Sequence, residues 1–170
     1  GTVTTAKLAD NSVKDEKYGV RTVTGSASYG QIGVSLSSGS FSKTGSGDSL
    51  ITNLDVDLDV RGGGAGCVKV QMFPAVGSSI GSIEITRASS TTQAILRLKR
   101  DAVTIQTMYI GVTATGSTAA SLVIPFSSVC FIDWYPSAGT YSYTVSCELV
   151  NVSNSETLNI SDAVIMVWEE

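Results

Sequence analysis

From residue 26 to the end of this chain, apolar residues recur at every second position in short runs, and no stretch shows the three-and-four spacing of an amphipathic helix. The clearest run is L-D-V-D-L-D-V, in which Leu54, Val56, Leu58 and Val60 alternate with Asp55, Asp57 and Asp59. Successive side chains of a strand point to opposite faces, so this run has one apolar and one polar face. Ile32, Val34 and Leu36 alternate with smaller residues, and further runs cover 67–73, 82–87, 94–99, 103–112, 120–126, 129–134, 140–150 and 158–168. Between them lie short polar or glycine-bearing connections such as P-A-V-G-S-S-I-G, S-S-T-T, T-G-S-T, P-S-A-G and N-V-S-N-S. S-S-G-S-F-S-K-T-G-S-G-D, between the first two runs, reads as an exposed loop. About ten short strands without a helix predict an all-β fold, an antiparallel β-sandwich of jelly-roll type.

Composition agrees with this. Charged residues make up 15% of the chain and apolar ones 42%, so Ser and Thr must supply much of the surface. A length of 170 residues suits one main domain.

The first 25 residues obey a different rule. Val3, Leu8, Val13, Tyr18 and Val23 stand five positions apart. In five residues an α-helix turns through about 140° net, so the stripe would wander around it. On a strand, an odd spacing alternates between faces. The pattern is also a repeat of ten, since V-T-T-A-K-L-A aligns with V-K-D-E-K-Y-G. One apolar residue in five covers too little surface to order a single chain, which predicts several parallel copies meeting on a common axis. Residues 1–22 are therefore expected to form the end of an oligomeric stalk and 23–170 a head, with Val3, Leu8, Val13 and Tyr18 as axial contacts. The repeat opens in mid-register, which suggests upstream copies.

T-T-A-K-L-A-D-N-S-V resembles the decapeptide repeats of bacteriophage tail-fibre shafts. F-I-D-W-Y-P-S-A-G-T-Y-S-Y-T-V, residues 131–145, and the closing A-V-I-M-V-W-E-E resemble the last strands of trimeric jelly-roll heads of the tumour-necrosis-factor and complement-C1q kind. The residues that carry the second likeness are Asp133, Pro136, Ala138, Gly139, Thr140, Tyr141 and Tyr143. The chain departs from it at Trp134 and Tyr135, where smaller polar residues are expected. The resemblance implies a homotrimer in the virion, with the stalk entering one end of the head. It further implies a non-enzymatic host-recognition head of a phage tail fibre that binds a bacterial cell-surface glycan or protein. The alternatives are a structural virion protein, a head fibre or capsid decoration capping a stalk, and less readily a polysaccharide depolymerase.

Chemistry narrows the choice. With no histidine, the usual Ser-His and Cys-His nucleophiles and histidine-containing zinc sites are excluded. Asp55, Asp57, Asp59, Glu84, Asp101 and Asp133 offer carboxylates for glycoside hydrolysis, yet no spacing singles out a pair. We expect no enzyme and no cofactor. D-V-D-L-D-V invites a calcium reading, but an EF-hand needs Gly and Glu where Val60 and Gly66 stand. The three acids read first as the solvated row of a strand, and calcium at a trimer axis is the other reading. R-G-G-G-A-G lacks the Lys-Ser or Lys-Thr of a P-loop, and the N-x-S triplets at Asn151 and Asn159 arise readily in a Ser-rich chain.

A net charge of −4 without a basic block argues against nucleic acid, and no apolar run approaches the roughly 20 residues that span a bilayer. Cys67, Cys130 and Cys147 are odd in number and lie in apolar stretches. They are expected to be buried free thiols, a Cys130 to Cys147 bridge being the alternative. For receptor binding the candidates are Trp134 and Tyr135, then Phe41 with Lys43, and Arg61 beside Asp59. Aromatic faces stack on sugars or anchor protein contacts, although Trp134 and Tyr135 would serve equally in a trimer interface or core.

Overall fold

The computed structural model describes residues 32–60, 66–75, 82–87, 92–112, 120–150 and 156–170. The expected stalk, with Val3, Leu8, Val13 and Tyr18, lies outside the described residues, as do Arg61 and Asn151. The strands are β1 (Ile32–Thr44), β2 (Ser49–Val60), β3 (Cys67–Pro74), β4 (Ser82–Arg87), β5 (Thr92–Arg100), β6 (Val103–Val112), β7 (Ala120–Pro125), β8 (Cys130–Trp134), β9 (Gly139–Val150) and β10 (Thr157–Glu169).

All pairings are antiparallel. One sheet has the order β2-β9-β5-β6. In the other, β10 pairs with β1 on one side and with both β3 and β4 on the other, while β8 extends β3 and β7 extends β4. Thus β3 and β4 form one broken row, as do β7 and β8. With those pieces joined, the rows run first-last-third-sixth in one sheet and second-seventh-fourth-fifth in the other. This is the strand order of a jelly roll, and the expected fold class holds.

The break has a cause that crosses the sheet. In β1 the register slips between Ser37 and Ser40, and in β10 Asp162 takes φ 51°. The row of β3 and β4 is broken after Pro74, and that of β7 and β8 by a 3-10 turn at Phe126–Ser128. Such irregularities bend strands, and here they align into one transverse kink. Phe126 and Val129 are buried at it.

The slip in β1 also corrects the reading of its surroundings. Residues 38–44 are strand, not loop, and the turn is confined to 45–48, where Gly45 and Gly47 supply φ 82° and 95°. A bulge absorbs Gly39 and restores alternation, so Phe41 lies opposite Ile160 and Lys43 opposite Leu158.

Between the sheets pack Leu54, Val56, Leu58, Val68, Val70, Met72, Leu96, Leu98, Val145, Leu149, Ile165 and Val167, all buried. The outer faces differ. Asp55 and Asp57 are exposed and Asp59 half-buried beside Thr144, Ser142 and Thr140 of β9, so the row of acids is the polar face of its strand. On the other sheet, β10 is apolar on both faces: Ala163, Ile165 and Val167 are buried inward, while Val164, Met166 and Trp168 are half-buried outward. Such double-sided runs are the pattern of strands covered on both sides.

Candidate functional site

The two ends of the sandwich are distinct. One end, where β1 begins, also holds the two-residue turn Asp101–Ala102, the connection 135–138 and the carboxy-terminal Glu170. The far end holds the turn 45–48 and the ends of β5, β6, β9 and β10 that bear Thr92, Val112, Val150 and Thr157.

Trp134 closes β8 at the first end, opposite Cys67. It is 61% exposed and Tyr135 is 63% exposed, with ring centroids 6.0 Å apart and planes tilted by 40°. Backbone bonds fix the pair. Tyr135 N–H donates to the Gly66 carbonyl at 3.1 Å, and Cys67 exchanges bonds with Glu170 at 3.1 and 2.8 Å. Tyr135 takes φ 54°, a conformation that bulky residues avoid.

A polar plug lies between the sheets behind this pair. The Asp133 carboxylate, 3% exposed, accepts from Arg100 Nη1 at 2.7 Å and from the Tyr143 hydroxyl at 2.9 Å. Arg100 also lies 4.9 Å from the Tyr141 ring centroid. Burial, then the neighbouring Asp133 carboxylate, pushes the Tyr143 hydroxyl well above its ordinary value. Of the carboxylates considered for catalysis, Asp133 is thus committed to two donors, and Asp101 accepts from the Ser142 amide at 2.9 Å.

The second aromatic candidate is elsewhere and faces inward. Phe41 packs partly buried on the core, and Lys43 is only 9% exposed, donating to Ser49 Oγ at 3.0 Å. They sit near the far end, so the structure does not bring them to Trp134 and Tyr135. The bulge turns Phe41 and Lys43 to the same side as Ile160 and Leu158. Cys130 is exposed, contrary to expectation, because it lies on the outward side of β8; Cys67 and Cys147 are buried, and all three thiols are free. Burial pushes the Cys147 thiol up to about 12.

Near the far end, Asp48 reaches over the polar sheet face from the 45–48 turn. It pairs with Arg97 at 3.0 Å and with Lys99, while Arg97 also meets Glu148 at 2.5 Å. Partial burial pushes the Asp48 carboxyl up, but Lys99, Ser146 and Arg97 together hold it below its ordinary value. No cluster of three metal-ligating side chains occurs among the described residues.

Sequence reasoning missed a further surface. Val103 and Tyr109 on β6 and Val123 on β7 are 65%, 69% and 59% exposed, on strands at the edges of their sheets. Gln106 of β6 closes the backbone there by accepting from the Ile132 amide at 2.7 Å. Consecutive apolar residues, M-Y-I and L-V-I, are the signal that could have exposed this edge, since they place an apolar side chain on both faces.

No family model and no curated protein matches the chain. Solved structures similar to it include the infectious bursal disease virus Gt strain, with 12% identity and a TM-score of 0.37 over 85% of this chain and 38% of that one. VP2 of the same virus gives 12% identity and 0.33, over 85% and 37%. The CBM36-1 domain of a multidomain xylanase from a Trinervitermes trinervoides hindgut metagenome gives 13% identity and 0.30, over 80% and 96%. The chain thus spans about two-fifths of the viral chains. At such scores these likenesses carry no weight, and the fold rests on the strand order.

Proposed function

We propose that this chain forms the trimeric, non-enzymatic head of a phage tail fibre and recognises a bacterial cell-surface glycan or protein. The observation that carries the trimer is the double-sided apolar character of β10. Val164, Met166 and Trp168, with Phe73 on β3 and Ile132 on β8, make an outward apolar sheet face that a solitary domain leaves only half-buried. A complementary surface is available on the same chain, at the edge that exposes Val103, Tyr109 and Val123. Face and edge are different surfaces, so contact between copies is head-to-tail, and a ring closes when the rotation per copy allows it. Three copies agree with the stalk repeat, whose sparse stripe needs symmetry mates.

Trimerisation supports recognition through avidity. Three weak sites on a repetitive cell surface bind as one strong one. The polar sheet face, with its hydroxyl row Thr140, Ser142 and Thr144, stays outward in this arrangement and keeps the assembly soluble.

Sedimentation equilibrium of the purified chain tests the assembly, with three times the monomer mass expected. A stable monomer would remove both stalk and head readings. Adsorption of labelled protein to host bacteria tests recognition. A trimer that adsorbs to no plausible host would assign the chain to a structural virion role, and release of oligosaccharide from capsule would replace recognition by depolymerisation.

A further inference from the structure

Trp134 and Tyr135 form one wall of a trough at the first end of the sandwich. Trp134 lies opposite Cys67 of β3, and Cys67 exchanges backbone bonds with Glu170. Directly opposed residues of antiparallel strands share a face, so Trp134, Cys67 and Glu170 stand in one row on the outward side of their sheet. Two strand spacings, about 10 Å, separate the backbone of Trp134 from that of Glu170. Between them Cys67 is buried, while the exposed Glu170 pairs with the half-buried Lys69 at 2.5 Å. The trough thus has an aromatic wall, a floor, and a wall that carries an ammonium donor and a carboxylate acceptor.

Gly66 ties the two walls together. Its carbonyl accepts from Tyr135 N–H at 3.1 Å, and a Cβ added to it would stand 2.8 Å from the Glu170 carbonyl oxygen, so a glycine is what lets the end of β10 come this close. Tyr135 is held at φ 54°, a backbone strain that persists only where the surroundings fix it. Behind Trp134, the bonds of Asp133 to Arg100 and Tyr143 anchor the end of β8.

The chemistry of these walls selects a sugar. A pyranose presents a face of C–H groups bounded by hydroxyls. That face stacks on aromatic rings, and neighbouring hydroxyls donate to a carboxylate and accept from an ammonium. Lys69 is neutralised by Glu170 and the chain carries a net charge of −4, which favours a neutral sugar over an acidic one.

We propose that this trough binds a neutral hexopyranose unit of a bacterial surface polysaccharide, stacked on Trp134 and Tyr135 and hydrogen-bonded to Lys69 and Glu170. This rests on the recognition reading above and narrows it to a glycan. The row of Trp134, Cys67 and Glu170 lies one row beyond Ile132, Lys69 and Trp168, at the rim of the face assigned to contact between copies.

Saturation-transfer NMR on the full chain tests the site, with the methyl glycosides of glucose, galactose, mannose and N-acetylglucosamine as probes and that of glucuronic acid as the acidic control. At least one neutral glycoside should receive saturation, strongest at the C–H groups of one ring face, and the glucuronide should bind more weakly. Affinity should fall about tenfold in Trp134→Ala and about threefold in Glu170→Gln. Trp134→Phe keeps an aromatic face and guards against a folding defect, and it should stay within about threefold of the unmodified chain. No saturation of any neutral glycoside, or saturation that Trp134→Ala leaves unchanged, would overturn the site. If both chains then adsorb alike to host cells, the recognition reading stands with its contact elsewhere, whereas a trimer that adsorbs to no host removes that reading itself. A trimer that dissociates in Trp134→Ala, with no glycoside bound by the unmodified chain, would replace the sugar by a second copy of this chain.

Discussion

Asp133 accepts from Arg100 and Tyr143 inside the sandwich, and removing one partner of such a set strands the others. Asp133→Ala should therefore lower stability by about 2–3 kcal/mol in urea unfolding, while Tyr143→Phe, which keeps the ion pair, should lower it by about 1 kcal/mol. The same interior sets an alkaline limit. Cys147 and Tyr143 keep their protons in the fold beyond the pH at which the unfolded chain loses them, so stability falls as pH rises above their unfolded values. The loss should begin near pH 9, the ordinary value for Cys147, at up to about 1.4 kcal/mol per pH unit, and steepen above 10 as Tyr143 joins. Cys147→Ala should delay the onset, as denaturation midpoints at pH 8 to 11 would show. The turn offers the opposite opportunity: Ala102 takes φ 68°, and Ala102→Gly should raise stability by about 0.5–1 kcal/mol, read as a higher urea midpoint. Of these residues, Tyr143 stood out in the sequence only by resemblance, and Asp133 by resemblance and as one of several unpaired carboxylates. A carboxylate on an alternating strand does not disclose whether it points to water or to an arginine on the facing sheet.

At the scale of elements, alternation was informative where it ran unbroken, as in residues 54–60 of β2. It failed where a bulge inserts a residue. Around Gly39 the extra residue shifts the phase, so S-S-G-S-F-S-K-T looks like a loop although it pairs with β10 along most of its length. The loop reading placed Phe41 on an exposed turn. Its ring packs on the core instead, so Phe41→Ala should cost about 2 kcal/mol of stability yet leave adsorption per folded trimer unchanged. Parallel urea unfolding and cell-binding assays check this, and lost adsorption at full stability would restore Phe41 as a contact. The turn that follows is tied down by charge. Asp48 is held below its ordinary pKa by Lys99 and Arg97, so this tie is present at neutral pH and is lost as pH falls through that lowered value. Trp134 and Tyr135 were legible as unusual residues, but not their place. Only the pairing of Ile32 with Trp168, carried across the sheet, puts them at the end of the sandwich where β1 begins.

For the whole molecule, the proposed ring makes a demand that a face-to-face dimer does not. Each copy must offer the apolar face of β10 to one neighbour and the β6 and β7 edge to the other. Met166→Glu spoils the face, since burying an unpaired carboxylate is strongly unfavourable, and leaves the edge intact. Tyr109→Glu spoils the edge and leaves the face intact. With the stalk contribution weakened by Val3→Ser and Leu8→Ser in both chains, each variant alone should sediment as a monomer. Mixed in equal amounts they should form a dimer that grows no further, because the Met166→Glu chain still supplies a sound edge and the Tyr109→Glu chain a sound face, once each. Symmetric contact of β10 against β10 predicts otherwise: the Tyr109→Glu chain would assemble by itself, and the mixture would gain nothing over it. Sedimentation velocity of the two variants, separate and mixed, distinguishes these outcomes.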